Sequence, residues 1–436
     1  MNVDQAKRWL LERAGERGVD LEVLATFERK LEIQADDGRV SDLTHATQGG
    51  VGLRVVADGR TGYASSEELT EDALAWALDE AIENAALQER AGAALPAGRP
   101  LGRHELVGEG LSAGIDAKGA AVTALERAVT GDARVQTMQV ARYVEEETEV
   151  ALGSTQGADG GYRNGYVGLM GVLVMREGES VKQGWDVEIG KEFHALDPGR
   201  TAQSMLDKVG RHLGARPLRT GRRRAVLEPD VVATLLGLFG YAISGKSLAE
   251  GTSRLAGRLG ERIASELVTI VDDATRPDGL GSRPFDAEGA PSQRVVLVDR
   301  GVLRSFLHNS ETARRTGQAT TGHAARSYAS TLGVAATNLV LEPGAGIPAG
   351  DGVIVTDLMG VHAGANPITG DVSVQAMGLE VVGGERSPVD DFAVSFNLFE
   401  LLERVEAVGD DLTWFPKGAM IAAPSLALAD LSFAGA

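Results

Sequence analysis

The chain of 436 residues contains no cysteine. It therefore forms no disulfide bond and offers no thiolate to a metal ion. Basic residues are also in short supply, with 43 Lys and Arg against 62 Asp and Glu, which gives a formal net charge of −19 at pH 7. Because a surface this acidic repels nucleic acid and anionic lipid, we expect neither nucleic acid nor membrane as a partner.

Long apolar runs are missing as well. The longest, near 166–175 and 231–243, are shorter than the roughly 18 residues that a membrane-spanning helix needs. The N-terminal residues carry charges on a helical pattern and lack the apolar segment of a secretion signal. We therefore expect a soluble, cytoplasmic protein.

Glycine, in contrast, is abundant, and its 56 residues indicate many turns rather than a helical bundle. Near the N-terminus, helical periodicity over 3–16 and 70–88 flanks a stretch of alternating residues. Thr70 is the predicted N-cap of the second helix. The stretch between the helices predicts several short strands with breaks at Asp37-Gly38, Gly49-Gly50 and Asp58-Gly59.

The middle of the chain predicts two long strands, near 135–154 and 162–190, which form an antiparallel hairpin. A helix over 114–130 precedes them and a helix over 198–213 follows. Residues 214–221, GARPLRTG, have the composition of a linker.

From residue 222 onward the pattern is mostly strands and glycine-rich turns, with helical segments near 229–243 and 396–406. The sequence therefore predicts an α+β fold in three regions. These regions are an N-terminal α/β domain (1–110), a central hairpin and helix region (111–218) and a β-rich C-terminal domain (219–436).

The octapeptide GYAISGKS, residues 240–247, matches the phosphate-binding pattern G-x-x-x-x-G-K-[ST]. In nucleotide-binding proteins this pattern lies between a buried strand and the start of a helix. Here the helical pattern of 229–243 precedes it, and the glycine-rich residues that follow predict only a weak helix. We therefore favour a Lys-Ser turn behind a buried helix over a nucleotide site.

Residue spacing gives little support to a metal site. The pair His104-Glu105 lacks the second histidine of a zincin helix, because Gly108 stands at that place. The chain has seven histidines, and no two are close enough in sequence to form a short ligand pair. Hydrogen-bonded or surface histidines are therefore the simpler interpretation. Folding could still gather metal ligands from the C-terminal half, namely His308, His323, His362, Asp272, Asp273, Asp286 and Glu288.

The stretch GVHAGANPITGD, residues 360–371, carries turn residues at Asn366-Pro367 and Gly370-Asp371. Such a segment can form a backbone-lined loop beside a groove, and a purely structural turn is the alternative. Residue chemistry alone therefore leaves the chain without a complete active site.

Several longer stretches resemble the TldD/PmbA family, also called the U62 peptidases or modulators of DNA gyrase. They are ASELVTIVDD and the residues after it (264–327), GVHAGANPITGDVSV (360–374), VEAVGDDLTW (405–414) and, near the N-terminus, GGVGLRVVADGRTGYAS (49–65). The resemblance covers nearly the whole chain in the correct order. It implies a heterodimer of a TldD-type and a TldE (PmbA)-type chain. In that pair the TldD-type chain binds zinc through H-E-x-x-x-H and a later cysteine, and unfolded peptides are degraded or trimmed in a shared chamber.

Counted back from the SELVTIVDD block, the family's H-E-x-x-x-H falls on residues 240–245. The histidine positions are then Gly240 and Gly245, and the glutamate position is Tyr241. The resemblance thus implies a TldE/PmbA-type subunit with a degenerate site, no metal ligands of its own and no cofactor, while zinc is expected in the TldD-type partner. Whether this chain is itself an enzyme stays open.

In this hypothesis the chain forms half of the chamber wall and holds an extended peptide by edge-strand pairing. We expect the wall near 320–328 and 360–371. Family resemblance also allows a homodimer of the isolated chain. Two alternatives are a self-sufficient homodimeric metal hydrolase built from scattered His, Asp and Glu, and a gyrase-related protein-binding module. The predicted substrate-binding residues are His323, His362, Asn366 and Thr369.

Overall fold

A computed structural model describes residues 1–89, 92 and 94–436. The predicted α+β class is confirmed, because packed helices and long antiparallel strands in the first half of the chain precede a β-rich C-terminal half. None of the described helices is long and apolar enough to cross a membrane.

The first half of the chain alternates helices with long strands. Its helices are α1 (Val3–Arg17), α2 (Glu71–Ala86), α3 (Ile115–Thr130) and α4 (Pro198–Gly210). Its strands are β1 (Asp20–Asp36), β2 (Arg39–Ala57), β3 (Arg60–Ser66), β4 (Pro100–Glu105), β5 (Val135–Ser154), β6 (Asp159–Glu177), β7 (Ser180–Gly190) and β8 (Arg216–Pro217).

Most of these strands form one sheet in the order β3-β2-β1-β5-β6-β4. Strand β4 pairs with the first part of the outer edge of β6, and β7 pairs with the remainder of that edge. Because side chains alternate along a strand, the two faces of the sheet have different partners. On one face Val23 packs with Leu10 of α1 and Leu78 of α2. On the other face Leu24 packs with Phe285 from the C-terminal half. The sheet therefore carries helices on one side and docks the C-terminal half on the other.

The C-terminal half contains short helices and many strands. Its helices are α5 (Pro229–Ala242), α6 (Gly245–Ala249), α7 (Ser310–Thr316), α8 (Val361–Gly364) and α9 (Leu398–Glu403). Its strands are β9 (Gly221–Leu227), β10 (Ile270–Asp273), β11 (Arg294–Asp299), β12 (Val302–Leu303), β13 (Ala324–Ala325), β14 (Gly333–Val334), β15 (Asn338–Leu341), β16 (Gly352–Met359), β17 (Asp371–Val382), β18 (Glu385–Asn397), β19 (Val405–Val408), β20 (Thr413–Pro416), β21 (Met420–Ala423) and β22 (Leu426–Ala434).

Two larger sheets organise this half. One has the order β12-β11-β10-β15-β21-β20, and the other has the order β19-β22-β9-β16-β17-β18-β8. Because β22 also pairs with β18, five strands of the second sheet close into a ring. Helix α5 is the buried element between the sheets: its Leu236 and Phe239 share one core with Val355 of β16 and Ile421 of β21.

The predicted break at Gly49-Gly50 is wrong. Both glycines lie inside β2, which continues to Ala57, so the predicted short strands are in fact two long strands, β1 and β2, followed by β3. The glycines serve close approach instead of a turn. A Cβ at Gly50 would lie 2.7 Å from a ring carbon of Tyr328, which packs against the strand from the C-terminal half.

Two predictions for the middle of the chain also need correction. The predicted strand over 162–190 is two strands, because a turn at 178–179 separates β6 from β7. The predicted linker over 214–221 contains β8, which pairs with β18, and Leu218, which is fully buried in the C-terminal core. Side-chain burial therefore fixes this segment in place.

Candidate functional site

Helix α5 and the segment after it hold the residues that the sequence singled out. The helix begins at Pro229, where a proline ring suits the first turn, and ends at Ala242. A break at Ile243 and Ser244 separates it from α6. The phosphate-loop interpretation fails here, because a helix precedes GYAISGKS and the backbone N–H of Gly245 donates to the carbonyl of Leu307 at 2.7 Å.

The three positions that the resemblance assigns to the zinc motif lie in different surroundings. A Cβ added to Gly240 would have no heavy atom within 4 Å. The hydroxyl of Tyr241 is hydrogen-bonded to the hydroxyl of Thr252 at 2.9 Å. Gly245 is buried, and a Cβ there would overlap Nδ1 of His308 and would lie 2.6 Å from the carbonyl oxygen of Leu307. The segment around His308 thus fills the space beside Gly245.

His323, predicted to bind substrate, is fully buried beside Asp272 at the end of β10. Its Nε2 lies 2.9 Å from Oδ1 of Asp272, whose Oδ2 accepts the backbone N–H of Thr337 at 2.8 Å. Its Nδ1 lies 2.9 Å from the hydroxyl of Thr321. Every polar atom of the ring is therefore engaged inside the protein, and His323 lines no open surface.

His308 lies in the same buried region. Its Nδ1 is 3.1 Å from the hydroxyl of Thr312, and its Nε2 has no hydrogen-bond partner among the described residues. Burial, together with the nearby imidazole of His323, lowers the pKa of His308 to about 4. The ring is therefore neutral at physiological pH and acts as a packing residue against Gly245.

The described residues hold no group of three or more His, Asp or Glu side chains that could bind a metal ion. Folding brings His308 and His323 near each other but leaves His362 on a different surface, as shown below. Asp286 and Glu288 already have other partners: Asp286 accepts the backbone N–H of Ala324 at 2.9 Å, and Glu288 pairs with the buried Arg54 at 2.6 Å. The scattered ligands considered from the sequence are thus not gathered into one site.

One concave feature of the structure is a series of three adjoining cavities of about 380, 400 and 470 Å³ that share Trp185 in their walls. We call this feature the Trp185 groove. It lies between the sheet of the first half of the chain and the C-terminal half, and Trp185 is 51% exposed. The walls also include Asp186, Lys208, Asp230, His362, Trp414, Phe415 and Lys417.

Two free strand edges border the Trp185 groove. Among the residues that the structure describes, β7 pairs with β6 alone and β20 pairs with β21 alone. Consecutive residues of both strands, 185–188 and 413–415, line the same cavity. Side chains of consecutive residues point to opposite faces of a sheet. A cavity that is lined by several consecutive residues of a strand therefore lies along the edge of that strand and not against one face. Unpaired backbone groups of β7 and β20 are therefore available to an extended ligand.

The charged side chains of the groove are arranged in pairs. Lys417 Nζ lies 2.5 Å from Asp230 Oδ1, and Lys208 is bonded to the buried Asp186. Arg211 forms two bonds of 2.7 Å with Glu228. Because each cation has its own carboxylate, these pairs leave no strong net charge to select an ionic ligand.

His212 and Asp357 both face the groove and have shifted pKa values. His212 is buried, its Nε2 lies 3.1 Å from the hydroxyl of Thr356, and its Nδ1 has no partner among the described residues. Burial lowers the pKa of His212 to about 4, and the charges of Arg211 and Lys182 act in the same direction. The pKa of Asp357 is raised, first by desolvation in the cleft and then by Asp230. The groove thus favours the neutral forms of both groups.

Residues of the predicted loop 360–371 have two different roles. His362 is exposed and lines the groove together with Gly360. Asn366 closes the turn, because its side-chain oxygen accepts the N–H groups of Ile368 at 2.9 Å and Thr369 at 3.2 Å. The Thr369 hydroxyl donates to Asp371. Asn366 and Thr369 therefore shape the loop, while His362 presents a side chain to the groove.

The residues that sequence reasoning missed are those of the central region. Trp185 and His212 line the groove although neither stands in a recognisable motif. The signal available for Trp185 was an aromatic residue between Gly184 and Asp186 in a predicted strand, and for His212 there was none. Both depend on contacts between the central region and the C-terminal half, which spacing along the chain does not reveal.

Comparison with known proteins relates this geometry to a family. Family models match residues 21–85 as PmbA/TldA metallopeptidase domain 1, residues 110–213 as the central domain and residues 220–435 as the C-terminal domain. A protein of Haemophilus influenzae named Metalloprotease PmbA homolog is 26% identical over 422 residues, which are 94% of this chain and 91% of that protein.

Solved structures agree. A candidate modulator of a DNA gyrase from Thermotoga maritima superimposes with a TM-score of 0.86 at 25% identity and covers 99% of this chain and 100% of its own. TldE from Thermococcus kodakarensis gives a TM-score of 0.88 at 23% identity with the same coverage, a likeness of fold. The chain therefore belongs to the PmbA/TldD family of metallopeptidases.

Proposed function

We propose that this chain is the non-catalytic, TldE/PmbA-type subunit of a cytoplasmic two-chain zinc metallopeptidase that degrades or trims unfolded peptides. Its partner in this proposal is a TldD-type chain that carries the zinc. The contribution of the present chain is part of the chamber wall and a groove for an extended peptide. The name of its Haemophilus relative, a metalloprotease, supports the role in proteolysis.

The observation that carries the proposal is the absence of zinc ligands from α5 and α6. The sequence from Pro229 to Ala249 contains no histidine, glutamate or cysteine, whichever register is chosen for the motif. Its one carboxylate, Asp230, already pairs with Lys417. Elsewhere His104-Glu105 is followed by Glu109 at the place of the second histidine. The residues present therefore do not fit the family's zinc site.

The Trp185 groove supports the role in peptide binding. An extended peptide can pair its backbone with a free strand edge whatever its side chains are, which suits unfolded substrates. Trp185 supplies an exposed aromatic surface beside that edge, and the paired charges leave the groove without a strong ionic preference. We therefore place the peptide along β7 and β20, with His362 at one end of the groove.

The test is co-expression of this chain with a TldD-type chain from the same source. We expect the two chains to co-purify, zinc to be absent from this chain alone, and peptidase activity on an unfolded peptide only in the complex. Trp185→Ala in this chain should raise the KM for the peptide several-fold. Trp76→Ala is the matched control, because Trp76 is 60% exposed on α2, outside the groove.

One result would favour the self-sufficient metal hydrolase instead. If the isolated chain held one zinc ion that survives dialysis and cleaved peptides without a partner, the proposed division of labour would be wrong. Elemental analysis of the purified chain and an assay of the same sample decide this point.

A further inference from the structure

In the part of the chain that the structure describes, four hairpins turn through two residues that both have positive φ angles. The central pairs are Asp37-Gly38, Asp58-Gly59, Gly383-Gly384 and Arg300-Gly301. Such turns favour Asn, Asp or Gly at the first central position, because a larger side chain crowds the backbone there. Arg300, with a φ of 43°, is the exception. The turn itself therefore gives no reason for an arginine at this position.

The backbone of Arg300 is held in place, whereas its side chain is free. The N–H of Arg300 donates to the hydroxyl of Thr269 at 3.2 Å, and its carbonyl accepts a hydrogen bond from Nη1 of Arg262 at 3.2 Å. The side chain of Arg300 is 82% exposed, and its nearest described carboxylate, that of Asp299, lies 3.9 Å away. Because an exposed ion pair at this distance adds little stability, the pair does not explain the arginine either.

Arg300 lines a surface cavity of about 390 Å³ together with Arg262 and Arg304, and we call this cavity the Arg300 pocket. Two carboxylates, those of Glu266 and Asp299, also line it. Asp299 accepts from Arg304 at 3.1 Å, whereas the described residues give Arg262 no carboxylate partner. With three cations against two anions, the pocket has an excess of positive charge in a chain of net charge −19. It therefore attracts an anionic group that most of the surface repels.

The lining of the pocket favours a carboxylate that belongs to a polypeptide. A guanidinium presents parallel N–H donors that match the two oxygens of a carboxylate. Leu267 and Val302 add apolar surface to the same wall, and Leu267 is 48% exposed. An acidic segment with one apolar side chain covers that surface, whereas an inorganic anion leaves it in water. A nucleic acid would also extend its phosphates over the acidic surface around the pocket.

We propose that the Arg300 pocket is a docking site for a short acidic segment of a partner protein. Carboxylates of the segment bind Arg262 and Arg300, while Arg304 stays paired with Asp299. An apolar side chain of the segment packs against Leu267. No residue of the pocket lines the Trp185 groove, so this interaction surface is separate from the proposed peptide site.

The experiment measures the binding of a fluorescent peptide, GEELEEG, to the full chain by anisotropy at low salt. We expect saturable binding that weakens as the salt concentration rises, because the contacts join exposed charges. Arg300→Asn should weaken this binding at least about fivefold. The Tm of the variant should equal or exceed that of the wild type, because asparagine suits the turn better than arginine does. A purely structural role of Arg300 would not combine these two results.

Arg39→Asn is the matched control, because Arg39 also adjoins a two-residue hairpin turn and its side chain is 78% exposed outside the pocket. It should leave the binding of GEELEEG unchanged. Three further probes test the chemistry of the ligand: GQQLQQG lacks the carboxylates, GEEGEEG lacks the apolar side chain, and an oligothymidylate of similar charge replaces carboxylates with phosphates. All three should bind more weakly than GEELEEG.

The inference would be overturned if GEELEEG did not bind, or if Arg300→Asn bound it as tightly as the wild type. Equal affinity for any of the three other probes would overturn it too, because the pocket would then not select an acidic segment with an apolar side chain. Since the measurement involves neither a TldD-type chain nor zinc, its failure would leave the proposed function untouched. Failed co-purification would in turn leave the Arg300 pocket untouched.

Discussion

Gly240 and Gly245 are five residues apart and are glycine for different physical reasons. The position of Gly240 lies in the last turn of α5 and has open space where a side chain would stand. Gly245 is enclosed by His308 and by the carbonyl of Leu307. Gly240 therefore lowers the stability of α5 without a packing gain, whereas Gly245 allows its own segment to contact the segment of Leu307 and His308.

Alanine substitutions should separate these two cases. Gly245→Ala should lower the free energy of unfolding by about 1–3 kcal/mol, because the new methyl group overpacks the contact with His308. Gly240→Ala is the matched control, and it should raise the free energy of unfolding by up to about 1 kcal/mol, the difference in helix propensity. Urea denaturation of both variants measures this, and equal effects would contradict the packing described around His308.

Buried neutral histidines make stability depend on pH. The folded pKa of His308 is about 4 and the unfolded value is about 6.5, so below pH 6.5 the unfolded chain binds more protons. The contribution of neutral His308 to the free energy of unfolding is therefore fully present above about pH 6.5, and it is lost as the pH is lowered toward 4. His212 has the same shift, to about 4, and acts in the same direction.

Replacement of His308 should flatten this dependence. Between pH 7 and pH 5 we expect His308→Gln to remove about 2 kcal/mol of the loss in unfolding free energy, because the titrating group is gone. His194→Gln is the control, since His194 is exposed and should leave the slope unchanged. Denaturation curves at both pH values provide the test, and an unchanged slope in His308→Gln would mean that the His308 ring binds a proton as readily in the folded state as in the unfolded state.

At the scale of elements, the amphipathic helices were predictable. The helices predicted at 3–16, 70–88 and 114–130 coincide with α1, α2 and α3 within two residues at each end. Periodicity succeeds here because each helix buries one stripe against the sheet. The N-cap at Thr70 is confirmed, with its hydroxyl accepting the N–H of Ala73 at 3.3 Å.

Glycine-rich segments were less predictable, because glycine permits both turns and close contacts. Asp37-Gly38 and Asp58-Gly59 are turns, as predicted, and the four residues have positive φ angles. Gly49 and Gly50 have no such angles and lie in a strand that Tyr328 contacts. The contact comes from a residue almost 280 positions away, so no local pattern could have distinguished the two uses.

The candidate site shows the same limit. The buried helix α5 was predictable from the apolar periodicity of 229–243. The Trp185 groove was not, since its walls combine β7, α4 and β20, which are separated by up to 230 residues in the chain. Spacing reveals a site when its residues are neighbours on one element, and here they are neighbours only after the sheets have docked.

At the scale of the whole molecule, a buried charge cluster links the two halves. Arg54 and Glu22 come from the first sheet, and Glu288 and Arg326 come from the C-terminal half. Arg54 Nη1 lies 2.6 Å from Glu288 Oε1, and Arg326 Nη2 lies 3.0 Å from Glu22 Oε1. All four side chains are at most 2% exposed, so each charge depends on a partner from the other half.

Loss of one member should therefore destabilise the docking of the halves. Arg54→Met should lower the free energy of unfolding by about 3–5 kcal/mol, because Glu288 is left buried without its cation. Arg17→Met is the matched control: its pair with Asp79 is about half exposed, and the loss should stay below about 1 kcal/mol.

If docking of the halves is the origin of the effect, Arg54→Met should also split unfolding into two transitions, followed by intrinsic Trp fluorescence and by circular dichroism. Equal losses in the two variants would mean that the buried cluster contributes no more than a surface ion pair, and apolar contacts such as that of Leu24 with Phe285 would then hold the halves together.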